Sequence, residues 1–141
     1  MNIIGHRGVS SIAPENSIES IKKAKKVGVD AIEFDVRASK DGELFLCHDA
    51  TLTRTHGIDI KISASTSKEL SKIINKNGEK LPTLIEALDA CGDTPAVIEC
   101  KNGNWAEPLK KVLHDHPSKH LHAVISFNHH ELAKFGKLCS D

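Results

Sequence analysis

Glu33 and Asp35 stand two residues apart in Asp30-Ala-Ile-Glu-Phe-Asp-Val36, where apolar and acidic side chains alternate. In a strand, that alternation puts both carboxylates on one face and Ile32, Phe34 and Val36 on the other. A second segment, Ala96-Val-Ile-Glu-Cys-Lys101, carries Glu99 and Lys101 at the end of another apolar run. Carboxylates at such a strand end are costly to desolvate unless a cation or a donor compensates them. Alone, the first pair reads equally well as a solvated edge. With Glu99 in a matching position, the three acids read as ligands for one hard divalent cation, Mg²⁺ or Ca²⁺.

His6 closes an early apolar segment within Gly5-His-Arg-Gly8, and His48 closes another within Cys47-His-Asp49. Two imidazoles at strand ends can divide proton acceptance and donation near neutral pH. The bland alternative is a structural hydrogen-bonding histidine at each position. Flanking glycines and Arg7 favour the chemical reading, because close backbone approach and a fixed cation suit an oxyanion. Glu33, Asp35 and Glu99 against Arg7, Lys101 and a divalent cation leave a formal charge of about +1, which a phosphodiester monoanion neutralises. No glycine-rich nucleotide loop and no G-x-S-x-G elbow is present, so nucleotide-driven and serine-hydrolase chemistry lack support.

The elements that must position these groups alternate between short apolar segments and amphipathic helical patterns, an α/β organisation around a parallel sheet. Strands are expected near residues 2–5, 30–36, 43–47, 96–100 and 121–126. Helix starts are expected where a cap residue precedes Glu by three positions: Asn16, Thr66, Thr83, Asn104 and Asn128. Ile18, Ile21, Ala24 and Val27 form a drifting apolar stripe, with Lys22, Lys23, Lys25 and Lys26 toward solvent. Trp105 reads as a core anchor, on a helix that also buries Leu109, Val112 and Leu113. Asn77-Gly78 and Cys91-Gly92 read as helix stops. Residues 37–42 are too few for a crossover helix, leaving either a hairpin turn at Asp41-Gly42 or a short irregular return.

Composition sets the outer bounds. The 141 residues carry no formal net charge, with 39% hydrophobic and 27% charged side chains. That describes one globular domain, residues 1–141, without bulk attraction to nucleic acid or anionic membrane. No apolar run reaches the length of a membrane span, and no signal sequence is evident, so a chain beginning near Met1 in the cytoplasm is expected. Cys47, Cys91, Cys100 and Cys139 form no close pair, which favours reduced thiols over a disulfide framework or zinc site. Cys100, between two site residues, is a candidate for oxidation. His114, His116, His120, His122, His129 and His130 show no shared ligand geometry and read as surface residues.

The ordered set His6-Arg-Gly8, Pro14-Glu-Asn16, Glu33-Phe-Asp35, Asp41-Gly42, His48-Asp49, Leu52-Thr-Arg-Thr55, Leu81-Pro-Thr-Leu84, Glu99-Cys-Lys101 and Ser126-Phe127 resembles the glycerophosphodiester phosphodiesterase family. The resemblance implies a TIM-type (β/α)₈ barrel with helices outside. It also implies metal-dependent hydrolysis of glycerophosphodiesters to an alcohol and glycerol 3-phosphate. Glu33, Asp35 and Glu99 would bind the metal, His6 and His48 would act as acid and base, and Arg7 and Lys101 would hold phosphate. His56 departs from the family's usual threonine. Length departs further, because such a barrel needs about 200–250 residues. Five of eight strands are expected here, leaving an open edge available for self-association. Two alternatives follow: a non-catalytic fragment or interaction module needing a partner chain, and a sphingomyelinase-D-like phospholipase.

Overall fold

The structure, a computed structural model, describes residues 1–101 and 103–140; the His120 side chain also lies outside the described residues, so its expected surface position goes untested. Strands β1 (Ile4–His6), β2 (Ala31–Ala38), β3 (Leu44–Leu46), β4 (Ala96–Cys100) and β5 (Ala123–Ile125) are separated by helices except between β2 and β3. These are α1 (Ile18–Val27), α2 (Thr53–His56), α3 (Ser67–Leu70), α4 (Leu84–Cys91), α5 (Ala106–Asp115) and α6 (His129–Ser140). The sheet order is β1-β2-β4-β5, all parallel, while β3 pairs antiparallel with β2. Arg37 and Ala38 therefore extend β2, and residues 39–43 form a hairpin connection, with Ser39 N–H bonded to the Glu43 carbonyl at 2.8 Å. Among the described residues, no helix is long and apolar enough to cross a membrane.

Alternation along β2 divides the two faces as its pattern requires. Ile32, Phe34 and Val36 are fully buried among residues of α1, α4 and α5, in a core that includes Ile21, Leu88 and Trp105. A smaller cluster of Phe45, Leu52, Ile62, Leu70, Ile73 and Leu81 stabilises the long excursion between β3 and α4. Trp105 is an anchor as expected, with its ring 5.9 Å from that of Phe135 on α6. The lysines of α1 point outward, but Val27 is 67% exposed and leaves the predicted stripe. Nine residues beyond Ile18 it has turned about two and a half times, which places it on the opposite side of the helix.

Asparagine explains most of the other differences. Asn16 does not cap α1; Ser17 does, accepting from Ser20 N–H. Thr66, Thr83 and Asn128 bond the Glu N–H three residues on, as expected. Asn104 does not cap α5, whose N-terminal residue Ala106 instead donates to buried Glu131 of α6 at 3.0 Å. Asn77-Gly78 stops no helix: Asn75 Oδ1 accepts from Asn77 and Glu79 N–H and folds these residues into a turn. Such local side-chain bonds compete with helix propagation. Gly92 does end α4.

The first βα turn is tightly constrained. Gly8 has φ 82°, and a Cβ there would meet Ser20 Oγ and come within 2.7 Å of the Ser20 carbonyl carbon. Gly8→Ala therefore combines an unfavourable backbone region with overpacking against a helix, an expected loss of about 2–4 kcal/mol. Urea unfolding of the variant checks this, with the exposed, uncrowded Gly57→Ala expected to lose less.

Candidate functional site

Strand register brings the acidic residues together. Asp35 on β2 lies opposite Glu99 on β4, and Glu33 lies opposite His6 on β1. One ligand atom from each of Glu33, Asp35 and Glu99 falls within 4.8 Å of the others. Asp35 is only 1% exposed. Two cations compensate it: Lys101 Nζ at 3.1 Å from Oδ1, and Arg7 Nε at 3.4 Å from Oδ2. Lys101 also donates to Glu99 at 2.6 Å. Burial works against the Lys101 charge, but its bonds to Glu99 and Asp35 prevail and hold its pKa above the usual lysine value. Asn16 finishes the enclosure, donating from Nδ2 to Asp35 Oδ2 and accepting from Asp35 N–H, both at 3.1 Å.

Glu33 is the least compensated acid. Its Oε2 accepts from Arg7 N–H at 3.1 Å, while buried Oε1 lacks a hydrogen-bond partner among the described residues. Burial first, then the neighbouring Asp35 charge, pushes its pKa up to about 7. An orphaned oxygen within a set of three carboxylates fits a divalent cation, which would supply the missing positive charge. Arg7 Nε is likewise buried without a hydrogen-bond acceptor, despite its ion-pair distance to Asp35.

The loops carry strain where they meet the site. Arg7 and Asn16 adopt left-handed backbone at φ 52° and 54°. This conformation is uncommon outside glycine and clusters at functional sites. Each is held by its neighbours: the Arg7 carbonyl accepts from Asn16 N–H at 3.0 Å and from Ser20 Oγ at 2.9 Å.

The histidines occupy different surroundings. The His6 side chain is 66% exposed, with Nε2 3.8 Å from Glu33 Oε2. His48 arrives by the hairpin: β2 runs past the acids to Ala38, and β3 returns until Cys47 N–H bonds the Asp35 carbonyl at 3.0 Å. His48 Nδ1 lies 2.8 Å from Asp49 Oδ1, and Arg37 donates twice to the His48 carbonyl. A cavity of about 320 Å³ opens beside it, bordered by Asn16, Arg54, His56, Lys76 and Lys80 among others. This cation-rich border suits an anionic ligand.

Residue spacing gave Glu15, Asp49 and Arg54 no role and gave Asn16 only a capping one, because each meets its partner here only through tertiary folding. Three other expectations need correction. His116 is buried, with Nε2 3.1 Å from Asp89 Oδ1, and His122 is half-buried and accepts from Ala96 N–H; neither is a surface residue. Cys100 is buried, and its thiol is held well above the usual range by burial, which opposes the thiolate needed for ready oxidation.

The sequence model of the "Glycerophosphoryl diester phosphodiesterase family" matches residues 6–137. A glycerophosphodiester phosphodiesterase of Caldanaerobacter subterraneus subsp. tengcongensis is 33% identical across 96% of this chain and 62% of its own length. Among solved structures, a glycerophosphodiester phosphodiesterase from Agrobacterium tumefaciens aligns at TM-score 0.90 and 26% identity, over 99% of this chain and 64% of that one. An Oleispira antarctica phosphodiesterase in complex with the product sn-glycerol-3-phosphate aligns at TM-score 0.91 and 29% identity, over 98% and 62%. The chain thus spans less than two thirds of the length of these relatives, and its open sheet corresponds to part of a TIM-type barrel. With its β1 motif, its acidic strands and its hairpin all inside the matched region, the chain belongs to the glycerophosphoryl diester phosphodiesterase family.

Proposed function

We propose that the chain hydrolyses glycerophosphodiesters to an alcohol and glycerol 3-phosphate. The observation that carries this reading is the joining of three carboxylates, one with an orphaned buried oxygen, to a buried guanidinium N–H that lacks an acceptor. Glu33, Asp35 and Glu99 are the residues that would hold Mg²⁺ or Ca²⁺. When bound, the cation supplies positive charge beside the phosphoryl oxygens and the glycerol hydroxyls. Arg7 and Lys101 place fixed positive charge against the same anion, which stabilises charge developing on phosphorus-bound oxygen. His6 and His48 divide the proton traffic, one accepting from the glycerol hydroxyl that attacks phosphorus and the other donating to the leaving alkoxide. Water then opens the cyclic phosphate to glycerol 3-phosphate with the two proton roles exchanged. The solved relative holding sn-glycerol-3-phosphate supports this substrate class. The buried free thiols Cys47, Cys91 and Cys100 support a reducing, cytoplasmic setting.

Turnover of glycerophosphocholine or glycerophosphoethanolamine is expected, and it should vanish with a chelator and in His6→Ala or His48→Ala. Sphingomyelin and lysophosphatidylcholine assayed alongside should remain uncut. Robust activity surviving both the chelator and the histidine changes rejects the assignment.

Proton linkage supplies a second check that needs no turnover. With the Glu33 pKa raised from 4.5 to about 7, the folded chain holds a proton that the unfolded chain has released between those values. Its contribution to stability is present below the lower pKa and is lost as pH rises through the upper one. A cation needs the carboxylate form, so its binding displaces that proton. The rise in melting temperature on adding Mg²⁺ or Ca²⁺ should therefore be larger at about pH 8 than at about pH 5.

A second reading is favoured by apolar residues at the sheet's two outer strands. Ile4 on β1, Ile125 on β5 and Phe127 just beyond it are exposed, Phe127 by 88%. In this reading the chain acts only after a partner or second copy pairs with those edges. Sedimentation with parallel turnover separates the two: an active monomer eliminates the requirement for a partner.

A further inference from the structure

One guanidinium outside the acidic cluster joins the loops that follow β1 and β3. Arg54 lies on the short helix α2, which ends where the left-handed Gly57 N–H bonds the Thr53 carbonyl. Its Nε and Nη2 donate to Asp49 Oδ2 and Oδ1 at 2.9 and 3.1 Å. Its Nη1 and Nη2 donate to Glu15 Oε1 and Oε2 at 2.6 and 3.0 Å. Asp49 Oδ1 in turn meets His48 Nδ1 at 2.8 Å, and Glu15 Oε2 accepts from Arg7 Nη1 at 2.9 Å. The result is an unbroken series from the His48 imidazole through Asp49, Arg54 and Glu15 to Arg7.

We propose that Arg54 is a positioning residue for both ends of this series. By fixing Asp49 against His48 Nδ1 it holds the imidazole in the tautomer that presents Nε2 to substrate, and by fixing Glu15 it aims Arg7 at the phosphate. The inference deepens the phosphodiesterase reading and rests on it, since it takes His48 Nε2 as the atom that exchanges the proton.

Geometry and charge agree on this role. Hydrogen bonds from Arg54, then His48, hold the Asp49 carboxyl far below the usual carboxylate range. An ionised carboxylate only accepts hydrogen bonds, so His48 Nδ1 carries the proton and Nε2 of the neutral ring keeps its lone pair. The Arg54 bond likewise lowers the Glu15 pKa, keeping an anion beside Arg7. Arg37 already anchors the His48 backbone through its carbonyl at 3.1 and 2.6 Å, so Arg54 acts on the ring rather than on the path of the chain. Its side chain is 50% exposed, and ion pairs with that exposure contribute little to stability. Planar fork geometry is what lysine lacks here.

The test uses the full isotope-labelled chain at mildly alkaline pH, reading the His48 tautomer from long-range proton–nitrogen correlations. The unaltered chain should hold the proton on Nδ1. Arg54→Met should shift the population toward Nε2–H, Arg54→Lys should shift it less, and kcat should fall about 10- to 100-fold with a smaller change in KM. Arg54→Gln, which also removes the charged fork, gives the same reading should Arg54→Met fail to fold, as judged from its amide spectrum. A merely structural Arg54 would leave the tautomer unmoved in every folded variant. That result, with His48→Ala still abolishing turnover, overturns this inference and leaves the phosphodiesterase reading standing. Glycerophosphodiester turnover that survives His48→Ala removes His48 from the chemistry and overturns this inference, whereas a folded, unaltered chain without any such turnover overturns the phosphodiesterase reading itself.

Discussion

Asp35 is a carboxylate almost wholly removed from water, flanked by two further acids on the same sheet face. Burying like charges together costs several kcal/mol per ion unless opposite charge or donors repay it, and much of the surrounding structure can be understood as that repayment. Lys101 bridges Asp35 and Glu99, Arg7 approaches from the β1 turn, and Asn16 donates from the loop before α1. The repayment stops at Glu33, whose raised pKa and orphaned oxygen mark where positive charge is short. An assembly made only for stability would have used apolar residues at these positions. Tolerating the imbalance ties the fold's least comfortable groups to its proposed chemistry.

The same constraint accounts for the unusual backbone around the acids. To bring its amide onto Glu33 and its guanidinium toward Asp35, Arg7 takes a left-handed conformation, and Gly8 must then pass against α1 without a Cβ. Asn16 is bent likewise so that one side chain can both donate to and accept from Asp35. These strains persist because backbone and Ser20 hydrogen bonds over-determine the turn. The β2–β3 hairpin makes a complementary contribution: it leaves the level of the acids and returns to it, delivering His48 without a crossover helix. A satellite core beneath residues 47–81 then keeps the returning segment in place.

Much of this was legible along the chain. Alternation in β2 separates acids from core residues in any extended segment, because successive side chains must point to opposite faces. Glu33, Asp35, Glu99, Arg7 and Lys101 could thus be grouped before any coordinates, as could the capping roles of Thr66, Thr83 and Asn128. Asn16 could not. Its type and its spacing to Glu19 satisfy the capping pattern, yet its side chain is claimed by Asp35 and its neighbour Ser17 caps instead. His116 similarly looks like a surface residue until its burial and its approach to Asp89 are seen.

The sequence by itself determined which side chains carry charge and protons, and on which face of each strand they lie, since these follow from residue chemistry and local periodicity. Only the tertiary structure decided that Asp35 lies in register with Glu99, that β3 returns beside β2, and that Arg54 bridges Glu15 and Asp49. Local rules act over a few residues. Strand register and the meeting of distant loops are set by how the whole core packs, and no window of neighbouring residues contains that information.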